Sequence, residues 1–225
     1  MEYKLYSASG NPTALVYGKP DTMLAKAILA NDKRAEQVGF LSGNLDSGFR
    51  LDMAGGEFCG NAARCAIYDI LGGKPGEICV SVSGFDGIIK GGVSENGDVW
   101  AVMPRLTEML PMEGGSVLVR LPGISHLVVE SDELSGFYPL LEKLKKFENN
   151  VPAIGIIGVK NDKMYPVVWV RDIETLFEET ACGSGITAAA YAKGRSVRLL
   201  QPWGEYLNAD LKDGTVTLSG PVKLL

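Results

Sequence analysis

The 225-residue chain carries one histidine, His126, and four cysteines, none of them in a CxxC pair. The ligand spacings of a structural zinc site are absent, and so is the usual motif of a dithiol redox protein. No metal is expected. No apolar run approaches the roughly 18 residues of a membrane span; the best, 151–159, reads as a buried strand. The N-terminus has no basic region followed by an apolar core, so no secretory signal is read and the cytoplasm is the expected location. Positive charge is scarce as well. A formal net charge of −5 leaves no clustered basic patch for a nucleic acid. The densest basic run, Glu142 to Phe147, reads as the solvated face of a helix. A GxxxxGK[ST] phosphate loop is missing, and no lysine has a setting that suggests a Schiff base. No cofactor is expected.

What remains is an ordinary globular composition, 46% hydrophobic and 22% charged, long enough for two compact halves. Periodicity predicts helices over "DTMLAKAILANDK", "GNAARCAIYDIL", "GFYPLLEKLKKFE" and the stretch after Cys182. Short alternating or apolar strands fill the space between them. We place an N-terminal domain at 1–105 and a C-terminal domain at 106–215. The tail is a hairpin with Asp213-Gly214 at its turn, and its last strand, about 216–225, returns to the first half.

The two halves echo each other. From Cys59 the chain reads Cys-Gly-Asn, with Ala66 and Tyr68 seven and nine positions on; from Cys182 it reads Cys-Gly-Ser, with Ala189 and Tyr191 at the same offsets. Each follows an acidic, strand-like approach. A cysteine at the first turn of a helix sits in a field that favours its thiolate. For Cys65 and Cys79 the plainer reading, a small buried hydrophobe, is preferred.

If the halves face each other across a cleft, two helix N-termini aim free N–H groups at one point and bind a carboxylate there. Gly60, Asn61, Gly183 and Ser184 would supply those donors, and each glycine would let the ligand approach the backbone. The two sulfurs would then flank the adjacent carbon. One takes a proton from one face as the other returns one to the opposite face, which is what a racemase requires.

At these residues the sequence resembles the diaminopimelate epimerase superfamily of cofactor-independent racemases and epimerases. "EFCGNAAR" and "ETACGSG" are similar to its two cysteine motifs, "SASGNPTALV" to its N-terminal strand and "LSGPVKLL" to its closing strand. The resemblance implies an α+β fold of two similar α/β domains. Each would be a mostly antiparallel curved sheet wrapped around a central helix, with the active site in the cleft between them. It implies that Cys59 and Cys182 are the two bases, that Asn11 and Gln37 line the pocket, and that His126 tunes the cysteines.

Departures from the family pattern bear on the substrate. Ile124 stands where an asparagine is expected, "PAIGIIG" has no asparagine, and no Glu-Arg-Gly precedes Cys182. A site that hydrogen-bonds a distal amino-acid group would not give up its donors. The strings "EQVGF", "EFCGNA" and "ACGSG" are closer to the histidine racemases of opine-type metallophore pathways. That likeness puts Glu36 in the substrate pocket, against an imidazole, and makes Glu178 and Glu179 candidates for the α-ammonium. The reading is an amino-acid racemase with L-histidine as favoured substrate. Diaminopimelate epimerase, a proline-type racemase and a non-catalytic amino-acid-binding protein are its alternatives. The expected partner is a small-molecule amino-acid substrate, with no nucleic acid and no membrane; a homodimer is left open.

Overall fold

A computed structural model describes residues 2–225. The first half runs β1 (Lys4–Ala8), β2 (Asn11–Tyr17), α1 (Thr22–Asn31), β3 (Gln37–Asn44), β4 (Gly48–Met53), α2 (Gly60–Ile70), β5 (Gly76–Val82), β6 (Phe85–Val93) and β7 (Val99–Val102). Strand β8 (Glu108–Pro111) leads to the second half: β9 (Val117–Leu121), β10 (Ile124–Val129), α3 (Leu134–Phe147), β11 (Ala153–Lys160), β12 (Lys163–Val170) and β13 (Thr175–Glu178). It continues through α4 (Gly183–Lys193), β14 (Val197–Leu200), β15 (Tyr206–Lys212) and β16 (Thr215–Gly220) to β17 (Val222–Leu224).

The halves repeat one pairing pattern. In the first, β1/β2 is antiparallel, β2/β3 parallel, β3/β4 antiparallel, β4/β5 parallel, and β5/β6 and β6/β7 antiparallel. The second follows the same order through β9/β10, β10/β11, β11/β12, β12/β14, β14/β15 and β15/β16. Strand β13 is an addition on β12. The halves also exchange strands: β8 pairs with β9, and β17 pairs with β1. Between them β16 lies antiparallel to β7, so the sheets meet along that seam. The β15–β16 hairpin turns at Asp213 and Gly214, both at positive φ (51° and 71°), as the two-residue turn of a twisted hairpin requires.

Helices α2 and α4 are central. Gly60 to Ile67 are all buried in α2, and Gly183 to Tyr191 in α4, because their small residues let strands close on every side. The outer helices bury one face each: Ala25 and Ile28 of α1 share a cluster with Val38 and Phe40, and Phe137, Leu141 and Leu144 of α3 one with Ile154 and Ile156. Lys143 and Lys146 of α3 stay exposed. Among the described residues no helix is long and apolar enough to cross a membrane.

Two interior details depart from the sequence reading. Cys65 is buried as expected, but Cys79 is exposed, because Val80 and Val82 take the inward positions of β5 and leave Cys79 on the outer face. Arg64 is fully buried, with no carboxylate pairing it among the described residues. Its guanidinium donates to Val99 O (2.9 Å), Pro221 O (3.1 Å) and Ser9 Oγ (3.3 Å), which ties α2 to one end of the seam, where Val99 pairs with Gly220. Burial brings its pKa down to about 10, so it stays charged at neutral pH.

Candidate active site

Cys59 and Cys182 are the N-caps of α2 and α4, with matching backbones: φ −131°, ψ 111° and φ −130°, ψ 110°. Each sulfur accepts a backbone N–H three residues on, from Ala62 or Gly185, at 3.3 Å. The cap geometry follows from local sequence, since a short polar or thiol side chain followed by small residues starts a helix readily. The two N-termini meet. Asn61 Nδ2 donates across the junction to Ala181 O at 3.1 Å.

The glycine after each cysteine has a different reason from the one the sequence suggested. A Cβ on Gly183 would lie 2.8 Å from both Asn61 Oδ1 and Leu218 Cδ2, and one on Gly60 would lie 2.6 Å from Met103 Cε and 3.2 Å from Leu218 Cδ2. Leu218 of β16 wedges against both helix starts, so the glycines make room for protein rather than for ligand.

A chain of amides runs from Cys59. Its thiol donates to Gln37 Oε1 at 3.1 Å, and Gln37 Nε2 donates to Asn11 Oδ1 (2.5 Å) and Thr13 Oγ1 (2.7 Å). Asn61 Nδ2 also reaches Asn11 Oδ1, at 3.2 Å. Asn11 Nδ2 in turn donates to Glu36 Oε2 at 2.7 Å. Glu36 is further held by Thr180, whose Oγ1 lies 2.7 Å from Oε1 and whose N–H reaches both oxygens at 3.3 Å. Burial raises the Glu36 pKa, and the bonds from Thr180 and Asn11 oppose the rise. Both of its oxygens are engaged, so Glu36 bridges the two halves.

Cys182 has other neighbours. Ser184 Oγ lies 3.5 Å from its sulfur, and the Glu179 carboxyl lines the same cavity. Ser184 Oγ is 2.8 Å from His126 Nε2. Burial holds the His126 pKa down to about 3, so the ring is neutral, and its Nδ1 has no partner. Burial pushes both active thiols well above their ordinary value, aided at Cys182 by the charge of Glu179 and at Cys59 by Glu179 and Glu57. In this closed form desolvation outweighs the helix N-terminus that the sequence reading relied on.

Both cysteines open on one cavity of about 30 Å³, room for no more than a few waters. One wall is a row across four strands, Ile124, Ala153, Val170 and Thr175, set in register by the β10/β11, β11/β12 and β12/β13 pairings. Val168, Ile173 and Phe177 extend it. Three carboxylates line the cavity: Glu36, Glu57 and Glu179. Burial pushes Glu57 up to about 7 and Glu179 up to about 8. Among the described residues no group of three His, Cys, Asp or Glu side chains could hold a metal ion.

Of the residues singled out in the sequence, Asn11, Glu36, Gln37, Cys59, Asn61, Glu179, Cys182, Gly183 and Ser184 line this cavity. Gly60 stands at the start of α2 behind it, and His126 touches it through Ser184. Glu178 is not brought there. It is exposed, and its Oε1 accepts the Tyr138 hydroxyl, because alternation along β13 turns it away from the side that Thr175 and Phe177 present. Sequence reasoning missed Glu57 and Thr180. Glu57 sits two residues before Cys59, within the acidic approach common to both halves, and that position was its only signal.

A family model described as "Histidine racemase CntK N-terminal domain" matches residues 6–201. The chain is similar to a protein named histidine racemase from Fusobacterium nucleatum subsp. nucleatum. The two are 26% identical over 257 aligned positions, covering 100% of this chain and 95% of that protein. It is also similar to a histidine racemase of Staphylococcus aureus, at 25% identity over 82% of this chain and 77% of the relative. Among solved structures, a predicted epimerase from Pseudomonas aeruginosa superposes with TM-score 0.70 at 16% identity, covering 99% and 96% of the two chains. A hydroxyproline epimerase from Agrobacterium vitis with bound trans-4-hydroxy-L-proline superposes with TM-score 0.64 at 13% identity, covering 99% and 88%. These structures share the fold of two similar domains.

Proposed function

The chain belongs to the histidine racemase CntK N-terminal domain family and is a racemase; from that premise we propose that it inverts the α-carbon of histidine by a two-base mechanism on Cys59 and Cys182. The observation that carries this reading is the matched pair of cysteine caps on one enclosed cavity. The substrate carboxylate takes the N–H groups at the starts of α2 and α4, from Gly60, Asn61, Gly183 and Ser184. Its α-carbon then lies between the sulfurs.

One cysteine as thiolate takes the α-proton and becomes a thiol. The electron pair left on carbon delocalises into the carboxylate, where the helix N–H groups stabilise the added charge. The other thiol delivers its proton to the opposite face and becomes the thiolate. For the other enantiomer the two exchange roles. Glu179, on the cavity with Cys182, is placed for the α-ammonium, whose positive charge offsets the carboxylates that hold the thiols protonated.

A cavity of about 30 Å³ admits no amino acid, so the cleft opens to bind and closes to exclude water. The apolar wall at Ile124 and Ala153 gives a distal carboxylate no donors, which argues against diaminopimelate. All four cysteines are free, which suits a reducing cytoplasm.

The test is a proton NMR time course in D₂O, with reduced protein, of L-histidine, meso-diaminopimelate and a pool of other L-amino acids, paired with chiral chromatography. Loss of the histidine α-proton signal together with appearance of D-histidine supports the reading. Exchange of diaminopimelate alone, or of no substrate at all, refutes it.

A further inference from the structure

Three carboxylates face the cavity, and they differ in what already holds them. Glu36 is bonded by Asn11 and Thr180. Glu179 lines the cavity with Cys182, and its charge acts on that thiol. Glu57 is only 5% exposed, and its Oε2 has no hydrogen-bond partner. A buried, unpartnered carboxylate oxygen is costly to keep unless something else satisfies it.

Its position says what that something is. A Cβ on Gly55 would lie 2.8 Å from Glu57 Oε2, 2.3 Å from Val170 Cγ1 and 3.6 Å from Ile173 Cγ1, so the free oxygen sits at the apolar wall. Ser83 fixes the backbone there, its hydroxyl donating to Glu57 O at 2.8 Å. Glycine at 55 keeps open the space in front of the carboxylate. Among the described residues no lysine, arginine or histidine lines the cavity, so the protein supplies no cation for it.

With the substrate carboxylate on the helix starts and its ammonium by Glu179, the remaining α-substituent points toward this wall. We infer that Glu57 is the specificity residue for the substrate side chain, accepting an imidazole N–H at Oε2 while Val170 and Ile173 pack on the ring. The inference rests on the two-base histidine reading above and adds the group that selects the ring. A flat ring with apolar faces and an N–H edge fits a wall that is apolar except for one acceptor. Burial raises the Glu57 carboxyl into the range where it shares a proton with an imidazole, which is in keeping with this pairing.

The test compares wild type and Glu57→Gln on L-histidine and on β-(2-thienyl)-L-alanine, a ring of similar shape without an N–H, with α-proton exchange as readout. The expected result is a rise in KM for histidine of roughly 10- to 100-fold. Any effect of the lost charge on Cys59 is common to both substrates, so kcat/KM for histidine should fall at least about 10-fold relative to that for thienylalanine. If Glu57→Gln does not fold by circular dichroism, Glu57→Asp, which keeps the charge but withdraws it by one methylene, is measured in the same way. Unchanged KM for histidine, or an equal loss on both substrates, overturns the role of Glu57 and leaves the racemase reading standing. Failure of the wild type to exchange histidine overturns both.

Discussion

Gln37 holds its carbonyl oxygen 3.1 Å from the Cys59 sulfur, while Cys182 faces Ser184 and Glu179. The backbones of the two cysteines match, but their partners do not. Bonds from Gln37 Nε2 to Asn11 and Thr13 fix the amide so that only its acceptor faces Cys59, and an acceptor favours the protonated thiol. That bond opposes ionisation of Cys59, as the charge of Glu179 does at Cys182. Gln37→Leu removes it on the Cys59 side alone and should shift KM for one enantiomer of the substrate by about 2- to 10-fold, the worth of a neutral hydrogen bond. The two enantiomers are equal in energy, so kcat/KM must remain equal in both directions and kcat must follow KM. Initial rates from each enantiomer, by polarimetry, check this.

Each cysteine serves its own face of the substrate. Cys59→Ala and Cys182→Ala should each lower racemisation by at least about 10²- to 10⁴-fold. Circular dichroism should stay native, since each removes one weak 3.3 Å cap bond. Near wild-type turnover in either variant would exclude the two-base scheme.

Gly183→Ala places a methyl group against Asn61 Oδ1 and Leu218 Cδ2. Overpacking of this kind costs about 1–3 kcal/mol. Urea denaturation should show a lower midpoint with an unchanged slope, and activity should fall because the α4 start has shifted.

The buried carboxyls set a pH trend. Glu57 and Glu179 titrate at about 7 and about 8 in the folded chain, above the roughly 4.3 of an unfolded glutamate. The folded state thus holds protons that the unfolded state has lost, and stability declines as pH rises toward those values. His126, held down to about 3 when folded, acts oppositely: its contribution is lost as pH falls below about 6.5. Between about pH 6.5 and 8 only the carboxyls act, so Tm should decrease across that window. Glu57→Gln should flatten the decrease, as thermal scans at several pH values would record.

Exposed Cys79 should be the first thiol that iodoacetamide modifies, without loss of activity, because it lies on the outer face of β5 away from the cleft. Cys59, half-buried at the cavity, should follow more slowly with loss of activity, and histidine should slow it further. Timed peptide mapping by mass spectrometry, with residual activity on the same samples, tests both statements.

Much of the site was legible because its signals are local. A cysteine followed by small residues marks a helix start wherever the chain goes, and Asp213-Gly214 fixes its hairpin from two residues. What escaped depends on distant partners. Glu178 ends a short strand and Glu179 is one step beyond it, and only the pairing of β13 with β12 decides which enters the cleft. Glu57 looks like any surface acid until Gly55, Val170 and Ser83 enclose it. The glycines after the cysteines were singled out for the approach of a ligand, and Leu218, from a strand far along the chain, adds a packing reason that the local sequence does not carry.

The exchange of β8 and β17 limits how the molecule can move. Each half is strapped by a segment whose chain begins in the other, and the β7/β16 ladder runs between the straps. The halves cannot slide apart without stripping an edge strand from each sheet. Opening has to resemble a book turning on its spine, with the seam as the spine and the two cysteines on the facing pages.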